Sequence, residues 1–337
     1  MRHEDDEVHE VDRIRSRVNL RSNNLRFQYL HTLPFSLRNL VGILRGLHYA
    51  GRLTRLRLEI SSSSLKLRLS MVEIDELKPH EEVIEKAVVK LTEEMRKDGF
   101  VRDPLIVDQE DRVILDGMHR FDALKRLGRR FAPCCLLDYM SPQISVGSWF
   151  RVFNVEDAKS SAQELLSTMK LDYAVNQLDV IGQYDADAII LTRGGNEFSL
   201  SKSMGILERC RIATGIEKQM VRDGLRVAYL SGALALESLT SEHANFLIVL
   251  PAFTKETIRK LGLEGVLLPH KVTRHVIPSR PLEFDVPLPL LTDPMVSCRK
   301  ADERLGELLA NRRVDRRAPG SVIDGRRYDE ELLVFSH

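Results

Sequence analysis

Aromatic residues make up only 6% of this 337-residue chain, with a single tryptophan, and there are four cysteines. Cys134, Cys135, Cys210 and Cys298 form no C-x-x-C pair and show no zinc-ligand spacing. A structural zinc site is therefore not expected and, in a chain this long, neither is a disulfide framework. No run of 18 apolar residues occurs, so a helical membrane span is excluded. The opening residues, Met1 to Asp6, are polar and acidic where an export signal needs a basic start and an apolar stretch. These absences set the expectation of a soluble, reduced, cytoplasmic protein with no membrane partner, acting as a monomer or homodimer. What is present is ample for a core. At 43% the hydrophobic content is too high for a disordered chain. A prior of roughly 150 residues per domain predicts two domains with some chain left over.

The balance of 50 Lys+Arg against 49 Asp+Glu hides an asymmetry. Residues 1–70 carry 13 basic residues, 12 of them Arg, against 7 acidic ones, leaving 37 against 42 in residues 71–337. Arginine gathered at one end is compatible with a nucleic-acid arm. A start codon assigned too far upstream accounts for it better, and a disordered or loosely helical extension comes next. The Ser61–Ser64 run and the scarcity of Lys set this stretch apart from the rest of the chain. The expected division is an extension over 1–70, a first module over 71–140, a second α/β lobe over 141–298, and a C-terminal helix and tail over 299–337.

From Met71 the patterning becomes regular. Val72–Leu77 alternates as a short strand, and Pro79-His80 breaks it. From Glu81 to Asp98, Ile84, Val88, Leu91 and Met95 recur at helical spacing, and Gly99 stands next as a C-terminal cap. Pro104–Asp108 and Val113–Asp116 read as a hairpin joined by Gln109–Arg112. A three-turn helix begins after Gly117, and Ala132–Tyr139 closes a β–α–β–β–α–β unit. The fold class expected is mixed α/β (α+β).

The piece of this unit with chemical meaning is Leu115-Asp116-Gly117-Met118-His119-Arg120. A strand entering a helix through glycine turns free N–H groups and the positive helix end toward an anion. Arg120 adds a fork of donors and His119 another, while Asp116 is suited to hold Mg²⁺ or orient a nucleophile. On local chemistry alone, a helix-capping Asp116 and a solvated Arg120 account for the pattern equally well.

Leu77-Lys-Pro-His-Glu81, Asp103-Pro-Leu-Ile-Val-Asp108 and Ile114-Leu-Asp-Gly-Met-His-Arg-Phe-Asp-Ala-Leu124 together resemble the ParB/sulfiredoxin-like nucleotide-binding superfamily. Within it they are most similar to the free L-serine kinases, which use ADP or ATP. Lys271-Val-Thr-Arg-His-Val-Ile-Pro-Ser-Arg280 resembles that family's distal Thr-Arg-His segment, so the likeness covers about residues 72–295. The resemblance implies Glu81 as general base, Asp116 as essential to phosphoryl transfer, and Gly117, Met118, His119 and Arg120 as the phosphate turn. It further implies Trp149, Thr273, Arg274 and His275 as the serine pocket, with Mg²⁺ and ADP or ATP as cofactor and co-substrate. Met118 departs from the family's histidine and removes a donor. Sulfiredoxins carry their reactive cysteine there, so methionine excludes that chemistry. In an extended segment Thr273 and His275 share one face, suited to a small carboxylate, and Arg274 takes the other. The residue-level alternative for this stretch is a surface strand between Pro269 and Pro278.

The expected activity is transfer of a nucleotide's terminal phosphoryl group to L-serine, giving O-phospho-L-serine for cysteine biosynthesis. The alternative is a ParB-like nucleotide- or DNA-binding regulator. The acidic balance of residues 71–337 argues against phosphate-backbone binding as the main role. Beyond the first module the expected elements are helices over Glu156–Met169, Ile206–Asp223, Thr254–Leu263 and Lys300–Arg313. Strands are expected at Asp187–Thr192, Val227–Leu230 and Phe246–Pro251, and an extended proline-rich stretch over Pro281–Pro294.

Overall fold

The computed structural model describes residues 58–62, 65–201, 204–293 and 295–336. Most of the Arg-rich extension expected over residues 1–70 lies outside the described residues, as do Ser63 and Ser64 of its serine run.

The first sheet takes its strands from β1 (Leu58–Ser62), β2 (Leu65–Glu73), β4 (Leu105–Asp108), β5 (Ile114–Asp116) and β6 (Phe131–Leu137), with α1 (Glu85–Asp98), the short β3 (Phe100–Val101) and α2 (Met118–Arg126) between them. Its order is β1-β2-β6-β4-β5, antiparallel except for the β4–β6 pair. The β4–β5 hairpin forms as its polar turn predicts, and Gly99 ends α1 in the left-handed region at φ 80°, its N–H bonded to Met95 O at 2.9 Å. The expected boundary at residue 70 falls inside a strand. In β2, Leu65, Leu67 and Leu69 are buried while Lys66 is exposed, a period-2 pattern that starts before Met71. Each such leucine contributes about 1.5–3 kcal/mol of burial. Ser70 Oγ and Met71 N both donate to Asp302, at 2.9 and 2.6 Å, fastening this strand to the C-terminal helix.

The second sheet is built from β7 (Ser145–Phe153), β8 (Tyr173–Gln177), β9 (Ala188–Thr192), β10 (Asn196–Leu200), β11 (Ala228–Ser231), β12 (Phe246–Ile248) and β13 (Thr273–Val276). Its order is β11-β7-β12-β9-β10-β8, with β13 added along β7, and its pairs are antiparallel. The helices α3 (Ala158–Thr168), α4 (Ile206–Arg222), α5 (Gly232–Thr240) and α6 (Lys255–Glu264) connect it. Thr254 caps α6 by accepting from Thr257 N, and Gly265 closes it at φ 67°.

The remainder comprises β14 (Arg280–Leu282), β15 (Val286–Pro287), α7 (Cys298–Ala310), β16 (Arg313–Arg317), β17 (Val322–Ile323), β18 (Arg326–Arg327) and β19 (Leu332–Ser336). The expected tail is thus structured: β14-β19-β16 form a third sheet, and β17–β18 a hairpin. Buried side chains of the first sheet, of α7 and of one face of the second sheet share a core, while Phe150, Val152, Leu191 and Leu247 of the second sheet pack with Ala235 and Leu239 of α5 in a separate cluster. Cys134 and Cys135 lie inside the shared core on β6, fully buried. Among the described residues no helix is long and apolar enough to cross a membrane.

Candidate functional site

A cavity of about 1040 Å³ collects residues from both large sheets and from the C-terminal hairpin. Its size suits a nucleotide together with a small second substrate. Glu81, Asp116, Gly117, Met118, His119, Arg120, Trp149, Thr273, Arg274 and His275 all line it.

One wall is the β5–α2 junction. Gly117 sits at φ 103°, and a Cβ there would lie 2.7 Å from Leu105 Cδ2 and 2.9 Å from Arg120 Nη2. Only glycine meets both the backbone conformation and the space. The turn folds Arg120 back over itself: Nη2 donates to Asp116 Oδ2 at 2.9 Å and to Pro104 O at 3.2 Å, and Nη1 to Asp103 Oδ2 at 3.4 Å. Its buried Nε has no hydrogen-bond partner, a spare donor beside the turn. Arg280 Nη1 and Arg326 Nη1 also approach Asp116, at 3.5 and 3.8 Å. Burial raises a carboxyl, but Arg280, Arg326 and Arg120 outweigh it and hold Asp116 well below the ordinary range. Asp116 is therefore ionised at any working pH. His119 Nε2 accepts from Ile84 N at 3.1 Å, and burial, then Arg120 and Lys271, lower its pKa. A neutral ring accepting at Nε2 carries its proton on Nδ1. Met118 is buried and packs at the start of α2.

Glu81 stands apart from the helix that the spacing predicts for it. The helix begins at Glu85, and residues 80–82 are extended, bridged to Leu268 through Leu268 N to His80 O (2.9 Å) and Glu82 N to Leu268 O (2.8 Å). This bridge sets Glu81 beside the first residue of β13. Glu81 Oε1 accepts from Thr273 N at 2.6 Å and contacts Thr273 Oγ1. Burial pushes Glu81 up to about 7, against the pull of the Thr273 hydrogen bonds and of Arg151.

β13 is a buried strand paired along β7, not a surface strand. Thr273 and His275 do share a face, but their polar atoms are committed to protein partners. Thr273 Oγ1 lies 3.0 Å from His80 Nε2, and His275 Nε2 lies 2.8 Å from Tyr139 Oη. They form the floor of the cavity; a carboxylate would meet few free donors on them. Arg274, on the other face, stacks 4.4 Å from the Trp149 ring and pairs with Asp329.

Several lining residues carry no local sequence signal. His270, Lys271, Tyr229 and Arg326 all reach the cavity. Lys271 Nζ lies 4.3 Å over the Tyr229 ring, and burial, then Arg326 and Arg151, lower its pKa. Arg151 is wholly buried, paired with Glu217 at 2.8 Å, and donates to the backbone oxygens of Trp149 (2.9 Å), Lys271 (3.1 Å) and His270 (3.2 Å). One guanidinium thus holds two separate segments of the wall in place. A charged residue in the middle of an apolar strand, Trp149-Phe-Arg-Val-Phe153, is the one trace of it in the sequence.

No protein-family model matches the chain. It is 28% identical over 234 residues to the ADP-dependent L-serine kinase of Thermococcus kodakarensis, covering 66% of this chain and 93% of that one. It is also 28% identical over 232 residues to the ATP-dependent L-serine kinase of Desulfurococcus mucosus, covering 66% and 90%. A solved free serine kinase in complex with AMP superposes with a TM-score of 0.56 at 25% identity, over 66% of this chain and 93% of that one. The chain resembles the free L-serine kinases. The likeness takes in nearly the whole of each relative, and it agrees with the mixed α/β architecture seen here.

Proposed function

We propose that this protein is a free L-serine kinase, transferring the terminal phosphoryl group of ADP or ATP to the serine hydroxyl to give O-phospho-L-serine, a precursor for cysteine biosynthesis. The observation that carries this reading is a single cavity lined by both Glu81, a carboxyl titrating near neutrality, and the Asp116–Arg120 turn. A serine hydroxyl is a weak nucleophile, and a carboxylate within hydrogen-bond reach accepts its proton as the bond to phosphorus forms. A base works best with a pKa near the working pH, and Glu81 at about 7 meets that condition. Transfer of the phosphoryl group depends on positioning and charge neutralisation. The N-terminus of α2, the spare Nε of Arg120, His119 and Arg326 supply donors there. Lys271 and Arg274 provide the cationic end for the amino-acid carboxylate, and Trp149 closes that side.

Among the described residues, no three His, Cys, Asp or Glu side chains gather as a metal site. The donors fit a Mg²⁺ ion that arrives on nucleotide phosphates, the usual mode for an ion kept by one or two carboxylates. Asp116 is the carboxylate that would hold it, beside the guanidinium groups of Arg120, Arg280 and Arg326. Such an ion supplies charge neutralisation between phosphates.

The purified protein, given L-serine, Mg²⁺ and either ADP or ATP, is expected to form O-phosphoserine detectable by mass spectrometry. Running threonine and homoserine as acceptors in the same assay defines the substrate. Absence of phosphorylated product with every donor and acceptor would overturn the reading.

A further inference from the structure

The hydrogen bonds around Glu81 leave one hydrogen to serve two neighbours. His80 is wholly buried, and its Nδ1 lies 2.6 Å from Ile114 O. A carbonyl oxygen only accepts, so Nδ1 carries a proton. Nε2 of the same ring lies 3.0 Å from Thr273 Oγ1, and Thr273 Oγ1 in turn contacts Glu81 Oε1. The threonine hydroxyl owns one hydrogen and stands between two groups that each need one. If it donates to His80 Nε2, Glu81 must carry a proton to bond Thr273 Oγ1. If it donates to Glu81, His80 must be an imidazolium donating through Nε2. Both arrangements hold the same number of protons.

We propose that His80 and Glu81 share one proton through the Thr273 hydroxyl, making His80 a positioning residue that accepts the proton Glu81 must shed before it can act as base. The proposal rests on Glu81 being the base of the phosphoryl transfer. In the resting form Glu81 Oε1–H donates to Thr273 Oγ1, whose own hydrogen goes to the neutral ring. In the shift, the Glu81 O–H bond breaks as a new Thr273 O–H bond forms, and the original Thr273 O–H bond breaks as His80 Nε2–H forms. A neutral pair becomes an imidazolium–carboxylate pair, and no proton is exchanged with solvent. The 4.0 Å between His80 Nε2 and Glu81 Oε1 gives that charged pair its Coulombic support. The other oxygen of Glu81 then accepts the substrate's hydroxyl proton.

The groups facing this trio from neighbouring elements frame its energetics. Glu81 feels Arg151 of β7 and Asp116 of β5, and it in turn acts on Lys271 and on Cys210 of α4. His80 feels Asp116, and the ring of His275 lies edge-on at 5.6 Å. Asp116 stays ionised and favours an imidazolium. Burial holds His80 down at about 4, which keeps the resting proton on Glu81.

The test is the dependence of kcat on pH, from about pH 8 down to about pH 4, with L-serine and saturating nucleotide, since the gap between Glu81 at about 7 and His80 at about 4 places the plateau at the acid end of that range. Without the relay, kcat falls about tenfold for each pH unit below the base's pKa. With it, the carboxylate is reached internally, and the unsubstituted protein is expected to level to a plateau. Thr273→Val and His80→Gln are each expected to remove the plateau and restore the tenfold-per-unit fall, and Thr273→Ser to bring it back. The plateau is read on the unsubstituted protein, so a variant that fails to fold does not spoil the test. A steady tenfold-per-unit fall in the unsubstituted protein, with Glu81→Gln inactive, would overturn the relay alone. Undiminished turnover in Glu81→Gln would overturn the base assignment and the relay with it.

Discussion

The two walls of the cavity are built on different principles. The β5–α2 wall is local: Asp116, Gly117, His119 and Arg120 are near neighbours in sequence, and one turn aims them all. The opposite wall is assembled at long range. Trp149 and Thr273 meet because β13 pairs along β7, with Thr273 opposite Ser148 and Arg274 opposite Gly147. Arg151 then ties that strand to the backbone of residues 270 and 271. A local wall tolerates changes elsewhere but fails at one backbone angle. An assembled wall depends on buried residues that never touch a substrate.

Gly117→Ala attacks the local wall and is expected to have the largest effect on nucleotide binding. A Cβ forced into φ 103° against Leu105 costs about 1–3 kcal/mol, and it pushes Arg120 out of place. Isothermal titration with ADP or ATP should show nucleotide affinity lowered at least ~100-fold. A variant binding nucleotide normally would mean that the turn is structural only. Arg151→Met attacks the assembled wall. Removing one partner of a buried ion pair costs about 3–5 kcal/mol of stability, read by chemical denaturation. In protein that remains folded, KM for serine should rise about tenfold with nucleotide affinity unchanged. Equal losses at both substrates would erase the distinction between the walls.

A smaller effect concerns acid. His80, wholly buried, and His270, on the cavity lining, are held neutral by burial at about 4, against an ordinary 6.5. A lowered folded pKa gives stability that is present above the unfolded value and is lost as pH falls through the window from 6.5 toward 4. Glu81, raised to about 7, works the other way in the same window, so the histidine part is read by difference: thermal melts of the unsubstituted protein should drop more steeply there than those of His270→Gln. Identical pH profiles for the two proteins would contradict the neutral assignment of His270.

The same contrast between local and long-range construction governs which features are legible in the sequence. The β4–β5 hairpin and the strand–glycine–helix turn rest on short-range signals, and both form where the patterning predicts. The apolar spacing that runs through Ile84 puts Glu81 on a helix. Yet Ile84 is 45% exposed and serves as the helix cap, and the bridge to Leu268, a contact across nearly 190 residues, keeps Glu81 extended. The serine-rich, Arg-rich composition before Met71 masks the alternation of Leu65, Leu67 and Leu69, which lie on a strand paired with β1 and, from Arg68 onward, with β6. Thr273–His275 reads locally as a surface strand because nothing nearby in sequence announces β7 as its neighbour. The C-terminal helix is legible from its spacing, but nothing local announces that the β17–β18 hairpin brings Arg326 beside Asp116.

The central claim is that Glu81 takes the acceptor's proton in a site whose nucleotide half stands without it. Measuring kcat and nucleotide affinity together in Glu81→Gln tests this most directly. Turnover is expected to fall about 10²–10⁴-fold, with the dissociation constant for ADP or ATP within about twofold of the unsubstituted protein. Turnover preserved, or nucleotide affinity lost in step with it, would contradict the account.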